Sequence, residues 1–358
     1  MSGAIAGRFR RHLGDVRIRT KLGLILLVPA VAVVGLGGYL LAVTARQADR
    51  ATDGVALTEL AGRAGDLAFA LELERAAAAM LLLPGSGEPE VAAFNARVLE
   101  TDHAVAAYAI VRAGVRLDQL EAAATLTRVD AGVAELSQLR AFVTQEQSAT
   151  WSAAVLRYRL LIADLLALRL APAHSGLPSE HADHVRAAAA LSEAVEQLGL
   201  QHAAVLRVAA TDRLTPAALG AIVTAGTGFA EARQSFGELA EPAWRSWWDN
   251  DVAGEAVVAV AGMQGVVART RVGERVPVDP AQWTAAVVEQ MRLMHEVQSR
   301  VDGEVLASVR AERDRQVGAA IVAGGVVTLV LAVAAAVAGR VARSMARRLR
   351  LLREGALH

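Results

Sequence analysis

The chain has 358 residues, with 37 basic and 37 acidic side chains, 54% hydrophobic and 4% aromatic residues, and no cysteine. Disulfides, thiolate zinc sites and cysteine nucleophiles are thereby excluded. Abundant alanine, leucine and arginine with few aromatics favour helices over sheets, so the expected fold class is all-α.

Residues 1–21 carry Arg8, Arg10, Arg11, Arg17, Arg19 and Lys21. Residues 22–43 follow as 22 positions without a charge, and residues 317–339 are a second run of 23 such positions. Beyond that run lie Arg340, Arg343, Arg347, Arg348, Arg350 and Arg353. About 20 apolar residues in a helix cross a ~30 Å hydrocarbon core, so each run is long enough to span. Short basic flanks stay on the cytoplasmic side, which puts both termini inside and residues 44–316 outside the plasma membrane. The first run exceeds the ~7–15 residues of a signal-peptide core and reads as an uncleaved anchor. The two ends hold 12 of the 37 basic residues, leaving the outer region acidic, with a net charge of −10. Such a region is a poor partner for nucleic acid, whereas the basic ends suit anionic lipid headgroups.

Apolar positions Leu57, Leu60, Ala64, Leu67, Leu71 and Ala78 recur at helical spacing, predicting one long helix from residue 44 to residue 83, ended by Pro84-Gly85-Ser86-Gly87. Further helices are predicted over residues 89–112, 117–146 and 150–171. Residues 172–178, with Pro172, Gly176 and Pro178, read as a linker. Beyond it the pattern predicts a helix over residues 179–211 and a turn at Asp212-Arg213-Leu214. The next helix is capped by Thr215, with Pro216 in its first turn, and runs to about residue 236. Another follows from about residue 241 to residue 270, then a loop over 271–278. Asp279 caps a last helix that continues through residue 316 into the second apolar run. Eight helices in two sets of four predict two four-helix bundles, residues 44–171 and 179–316, between transmembrane helices at 22–43 and 317–339. Residues 340–358 read as an arginine-rich amphipathic segment. No kinase, cyclase or methyl-accepting region follows, so the output is expected from a further region or a partner.

Arg75 heads eight consecutive apolar residues on a helix that should be buried on all sides. A buried guanidinium must be paired. Glu72, three residues earlier, is one partner, and snorkelling to the bundle surface is an alternative. The sharper reading makes Arg75 the ligand of a small planar oxyanion, whose geometry fits the guanidinium fork. The segment 198–205 echoes 71–78, with Gln201 aligned on Glu74 and His202 on Arg75. His202, Arg207 and Arg233 are further candidate anion ligands, although solvated surface positions suit the two arginines as well. Trp244, Trp247 and Trp248 form an aromatic cluster best read as packing. His181 and His184 are three apart, but no histidine has zinc spacing, and no catalytic triad, Walker loop or GxGxxG occurs. Catalysis, a cofactor and a metal are therefore not expected.

Several segments in order resemble the nitrate- and nitrite-sensing domain found ahead of actinobacterial sensor histidine kinases. They are Arg19-Thr20-Lys21-Leu22 before the first apolar run, Leu73-Glu74-Arg75-Ala76, Tyr158 with Leu161-Ile162, and residues 198–204 followed by Arg213-Leu214-Thr215-Pro216. The resemblance implies paired helical bundles that bind nitrate or nitrite through arginines at their interface, with Arg75 as the carried-over ligand. It also implies a homodimer, a HAMP-like linker over residues 340–358, and a kinase that passes the signal to a response regulator. The chain departs from the family pattern at Ala76, where glycine is usual, at His202, where arginine is frequent, and at Arg348, where HAMP linkers carry proline. Rival readings are a chemoreceptor-like sensor of another ligand or of a periplasmic protein, and a degenerate module that only tethers and dimerises.

Overall fold

The computed structural model describes residues 18–115, 122–145, 150–175, 177–211 and 213–354, with side chains of 18–30, 32–33, 338, 342 and 345–354 outside that description. The basic residues Arg8, Arg10, Arg11 and Arg17, the predicted helix limits at residues 117 and 146, Gly176 of the linker, Asp212 of the turn and His358 lie outside the described residues. The described residues form α1 (Ile18–Leu81), α2 (Glu88–Arg112), α3 (Ala123–Ala134), α4 (Leu136–Gln145), α5 (Trp151–Arg169), α6 (Ala171–His174), α7 (Ser179–Thr211), α8 (Pro216–Leu239), α9 (Pro242–Asp251), α10 (Glu255–Arg269) and α11 (Pro280–Glu354). No strand occurs among them, so the fold is all-α.

Local chemistry sets most boundaries. Thr150 and Thr215 accept hydrogen bonds from the backbone N–H groups of Ala153 and Ala218, capping α5 and α8, and Asp279 accepts from Gln282 at the start of α11. Three predicted features need correction. The helix predicted over 117–146 is broken at Glu135 into α3 and α4, and Leu136, Leu139, Phe142 and Val143 of α4 enter the same core as Leu126 and Val129 of α3. The helix predicted over 241–270 is divided into α9 and α10, which meet at 77°. Gly254 sits there at φ 112°, a conformation open to glycine and strained for other residues. The predicted linker is partly a short helix, α6, with Pro172 and Ala173 buried, since its apolar side chains find a core to enter.

The chain divides into two compact units, residues 50–312 and residues 1–49 with 313–358. The first contains two hydrophobic clusters. One gathers Leu57, Leu60, Leu67 and Leu71 of α1 with Phe94 and Tyr108 of α2, Leu126 of α3, Phe142 of α4, and Tyr158 and Ile162 of α5. The other gathers Val55, Leu73 and Ala79 of α1 with inward faces of α7 to α10 and a stripe of α11 that includes Trp283, Val287, Met291, Met294 and Val301. Helix α1 thus presents one face to each cluster, which is why its outer-region apolar residues occupy every side.

In the second unit, Val31, Val34, Leu36 and Tyr39 of α1 and Ile321, Val322, Leu329 and Val333 of α11 are exposed. Gly37 lies against Val327: a Cβ at Gly37 would stand 2.8 Å from Val327 Cγ1. Among the described residues one helix segment, Pro280–Val341, is long and apolar enough to cross a membrane. The expected pair of spans is therefore not established by these residues.

Candidate anion site around Arg75

Arg75 sits on α1 where the helix passes between the two clusters, and it is 1% exposed. The alanines that follow it are strong helix formers, and Glu72 and Glu74 precede it on the same buried stretch. Its Nη1 and Nη2 donate to Oε1 and Oε2 of Glu196 on α7 at 2.9 and 2.7 Å, a two-point fork on a planar carboxylate. The pairing with Glu72 expected from helical spacing is thus corrected. Glu196 holds the fork because it approaches across the helix interface with both oxygens, whereas Glu72 stays alongside on α1.

Space for the fork comes from Gly199, one turn after Glu196. A Cβ at Gly199 would stand 2.5 Å from Arg75 Nη2. Glu72 is also buried, and its Oε2 has no hydrogen-bond partner. Burial first, and then the Glu196 carboxylate, hold Glu72 well above the usual carboxylate range, against the pull of Arg75. His202 lies two turns after Glu196 on α7, with Nε2 3.0 Å from Thr284 Oγ1 and its carbonyl accepting from Trp283 Nε1. Burial and then the Arg75 charge lower its pKa to about 3, so the imidazole is neutral at physiological pH.

Glu196 also lines a cavity of about 440 Å³ between α5, α7 and α8, together with Glu193, Gln197, Arg159 and Arg186. The carboxylate half of the buried pair therefore borders this cavity. Two other arginines also cross-link helices, one of them, Arg169, with its Nε left without a partner. Glu74 accepts from Arg140 Nε and Nη2, both at 2.9 Å, and from the Tyr158 hydroxyl at 2.7 Å. Arg169 donates to the carbonyls of Ala61 and Ala188 and to both oxygens of Asp302, tying α1, α5, α7 and α11 together.

Of the residues singled out from sequence, Arg75 and His202 come together in the buried cluster, close enough for the one to set the charge of the other. Arg207 and Arg233 do not join it, for both are exposed. Arg207 lies over the Trp151 ring at 6.0 Å. The tryptophans pack: Trp244 and Trp248 are buried, Trp244 Nε1 donates to Glu304, and Trp247 lies beneath Arg300. His181 and His184 interact with the Ser308 carbonyl and with Glu241, and no metal-binding group occurs among the described residues. Sequence reasoning missed Glu196 and Gly199. The available signal was the run Ser192, Glu196, Gly199 and Ala203, a small or polar strip along an otherwise apolar face of α7.

The fold defines a helical-bundle domain, with a buried guanidinium on a carboxylate where its two hydrophobic clusters meet. Residues 66–306 match the family model described as nitrate and nitrite sensing, and the chain belongs to that family. A solved structure described as that of the NasR transcription antiterminator aligns with a TM-score of 0.68 at 17% identity, covering 81% of this chain and 83% of that one. At that identity the likeness is one of fold. No curated protein matches the chain.

Proposed function

We propose that the chain is the sensor of a membrane receptor that binds nitrate or nitrite at Arg75 and signals to a kinase. The observation that carries this reading is the two-point grip of Arg75 on the Glu196 carboxylate. A carboxylate and nitrate are both planar oxyanions with oxygens spaced to meet the guanidinium fork. Glu196 is then a built-in stand-in, which an incoming anion displaces through the adjoining cavity. Membership of the nitrate- and nitrite-sensing family supports the choice of anion. His202, held neutral, contributes a hydrogen bond and no charge.

In this reading the helices at 22–43 and 317–339 span the plasma membrane, with both termini inside and bundles 44–171 and 179–316 outside, joined by 172–178. Support comes from the exposed apolar residues of α1 and α11 and from the close approach at Gly37. Residues 340–358 begin a HAMP-like linker, and the receptor works as a homodimer whose kinase addresses a response regulator. Exchanging Glu196 for a free anion changes the tie between α1 and α7. The Arg169–Asp302 cross-link carries that change to α11. Arg207 and Arg233 serve as surface charges that attract anions from solution.

Calorimetric titration of the full chain in lipid nanodiscs with nitrate, nitrite and chloride tests the proposal. Saturable heat with nitrate or nitrite, absent with chloride and in Arg75→Ala, is the expected result. No heat with any of the three removes the anion assignment and favours a protein partner as the input.

A further inference from the structure

The Arg75 site holds more acid than its cation can neutralise. Glu72 and Glu196 approach Arg75 from α1 and α7, and all three are almost completely buried. One carboxylate takes the whole guanidinium fork, while Oε2 of the other has no partner. A buried site of this kind is stable near neutrality, with one carboxylate ionised against Arg75 and the other protonated. The high position of the Glu72 carboxyl agrees with that distribution. When an external monoanion occupies the fork, Glu196 loses its cation and shares the pocket with a new negative charge. Neutrality is recovered if a proton enters from solvent through the cavity that Glu196 lines.

We infer that the Glu72–Glu196 pair is a proton-binding site, and that each oxyanion bound at Arg75 is accompanied by the uptake of one proton. This rests on the reading of Arg75 as the anion ligand. The charged and titratable groups around the pair are Arg75 on α1, Glu193 and Arg186 on α7, Arg159 on α5 and, further along α7, His202. His202 stays neutral and Glu193 adds negative charge, so neither replaces the proton. From α8 the cavity receives Ala232, Ser235 and Leu239, and α11 places Met291 beside Gly199; none of these titrates near neutral pH. The competing course is for Glu196 to swing out, still ionised, towards Arg159 and Arg186.

The ligand is therefore a planar monoanion together with a proton, and binding strengthens as pH falls. Coupling to one proton changes affinity about tenfold per pH unit. The test is titration of the full chain with sodium nitrate at pH 7 in HEPES and in Tris, whose different ionisation enthalpies reveal protons exchanged, and again at pH 6 and pH 8. About one proton taken up per nitrate, with an affinity that falls between pH 6 and pH 8, is the expected result. In the double variant Glu72→Gln, Glu196→Gln the uptake should vanish and the affinity should become independent of pH. Nitrate binding by the wild-type chain without proton uptake overturns the inference and leaves Arg75 as the ligand, with Glu196 leaving as a carboxylate. Absence of nitrate binding at every pH overturns the anion reading itself and the coupling with it. The wild-type titrations decide the matter even if the double variant fails to fold.

Discussion

Single residues in this protein act through what they neutralise. Removing the side chain of Arg75 leaves Glu196 buried without its cation, and breaking one side of a buried pair costs about 3–5 kcal/mol. Arg75→Ala should therefore lower the urea midpoint strongly as well as abolish nitrate binding. Glu196→Gln should separate the two effects. The free protein is destabilised, while nitrate, freed from its internal competitor, binds about tenfold or more tightly, since a tethered group acts at an effective concentration of millimolar or above. The melting temperature of that variant should rise with nitrate more than that of the wild type. A smaller rise would mean that Glu196 does not compete for the fork. His202 governs a different property. Its folded pKa of about 3 lies below the ordinary 6.5, so below pH 6.5 the unfolded chain takes up a proton that the folded chain refuses. The stability it secures is complete above pH 6.5 and is lost as pH falls towards 3, by up to ~1.4 kcal/mol per unit. Chemical denaturation at pH 7 and pH 5.5 should show a shallower loss in His202→Gln than in the wild type.

At the level of elements, helix approach depends on small residues at particular turns. Gly199 is one, because a methyl group there would stand 2.5 Å from the Arg75 guanidinium. Gly199→Ala should crowd the guanidinium out of the space where either oxyanion meets the fork and so reduce nitrate affinity, while the far-ultraviolet dichroism stays helical. An unchanged affinity would show that the guanidinium has room to shift within the interface. Gly65 plays the same part for Arg169, with a Cβ there only 1.9 Å from Nη1. The apolar periodicity of α1 made its burial readable, as did the caps at Thr150, Thr215 and Asp279, since caps and stripes are properties of neighbours in the chain. The breaks at Glu135 and at 252–254 were not readable in the same way. At Glu135 helical propensity continues through the break, and at 252–254 a single glycine does not by itself announce a turn of 77°.

Over the whole molecule, Arg169 connects four helices by one side chain, and Asp302 is its counter-ion. Arg169→Met should leave nitrate able to bind but weaken its effect on α11. Exchange of α11 backbone amides with and without nitrate checks this, and an undiminished nitrate effect would remove Arg169 from the route. The same substitution takes the counter-ion from Asp302, which is part-buried and keeps Gln298 beside it, so a lower stability is expected as well.

Local chemistry in the chain determined the all-α class, most helix limits, the two uncharged runs with their basic flanks, and the position of Arg75 inside a buried helix. These follow from composition, periodicity and caps, which act over a few residues. Tertiary structure alone decided that Arg75 is gripped by Glu196 and not by Glu72, and that Gly199 makes the room for it. It also decided that His202 is neutral beside it, and that Arg207 and Arg233 stay at the surface. The physical reason is distance along the chain. Glu196 lies 121 positions from Arg75, and only the packing of α7 on α1 brings a carboxylate, a glycine and an imidazole to one guanidinium.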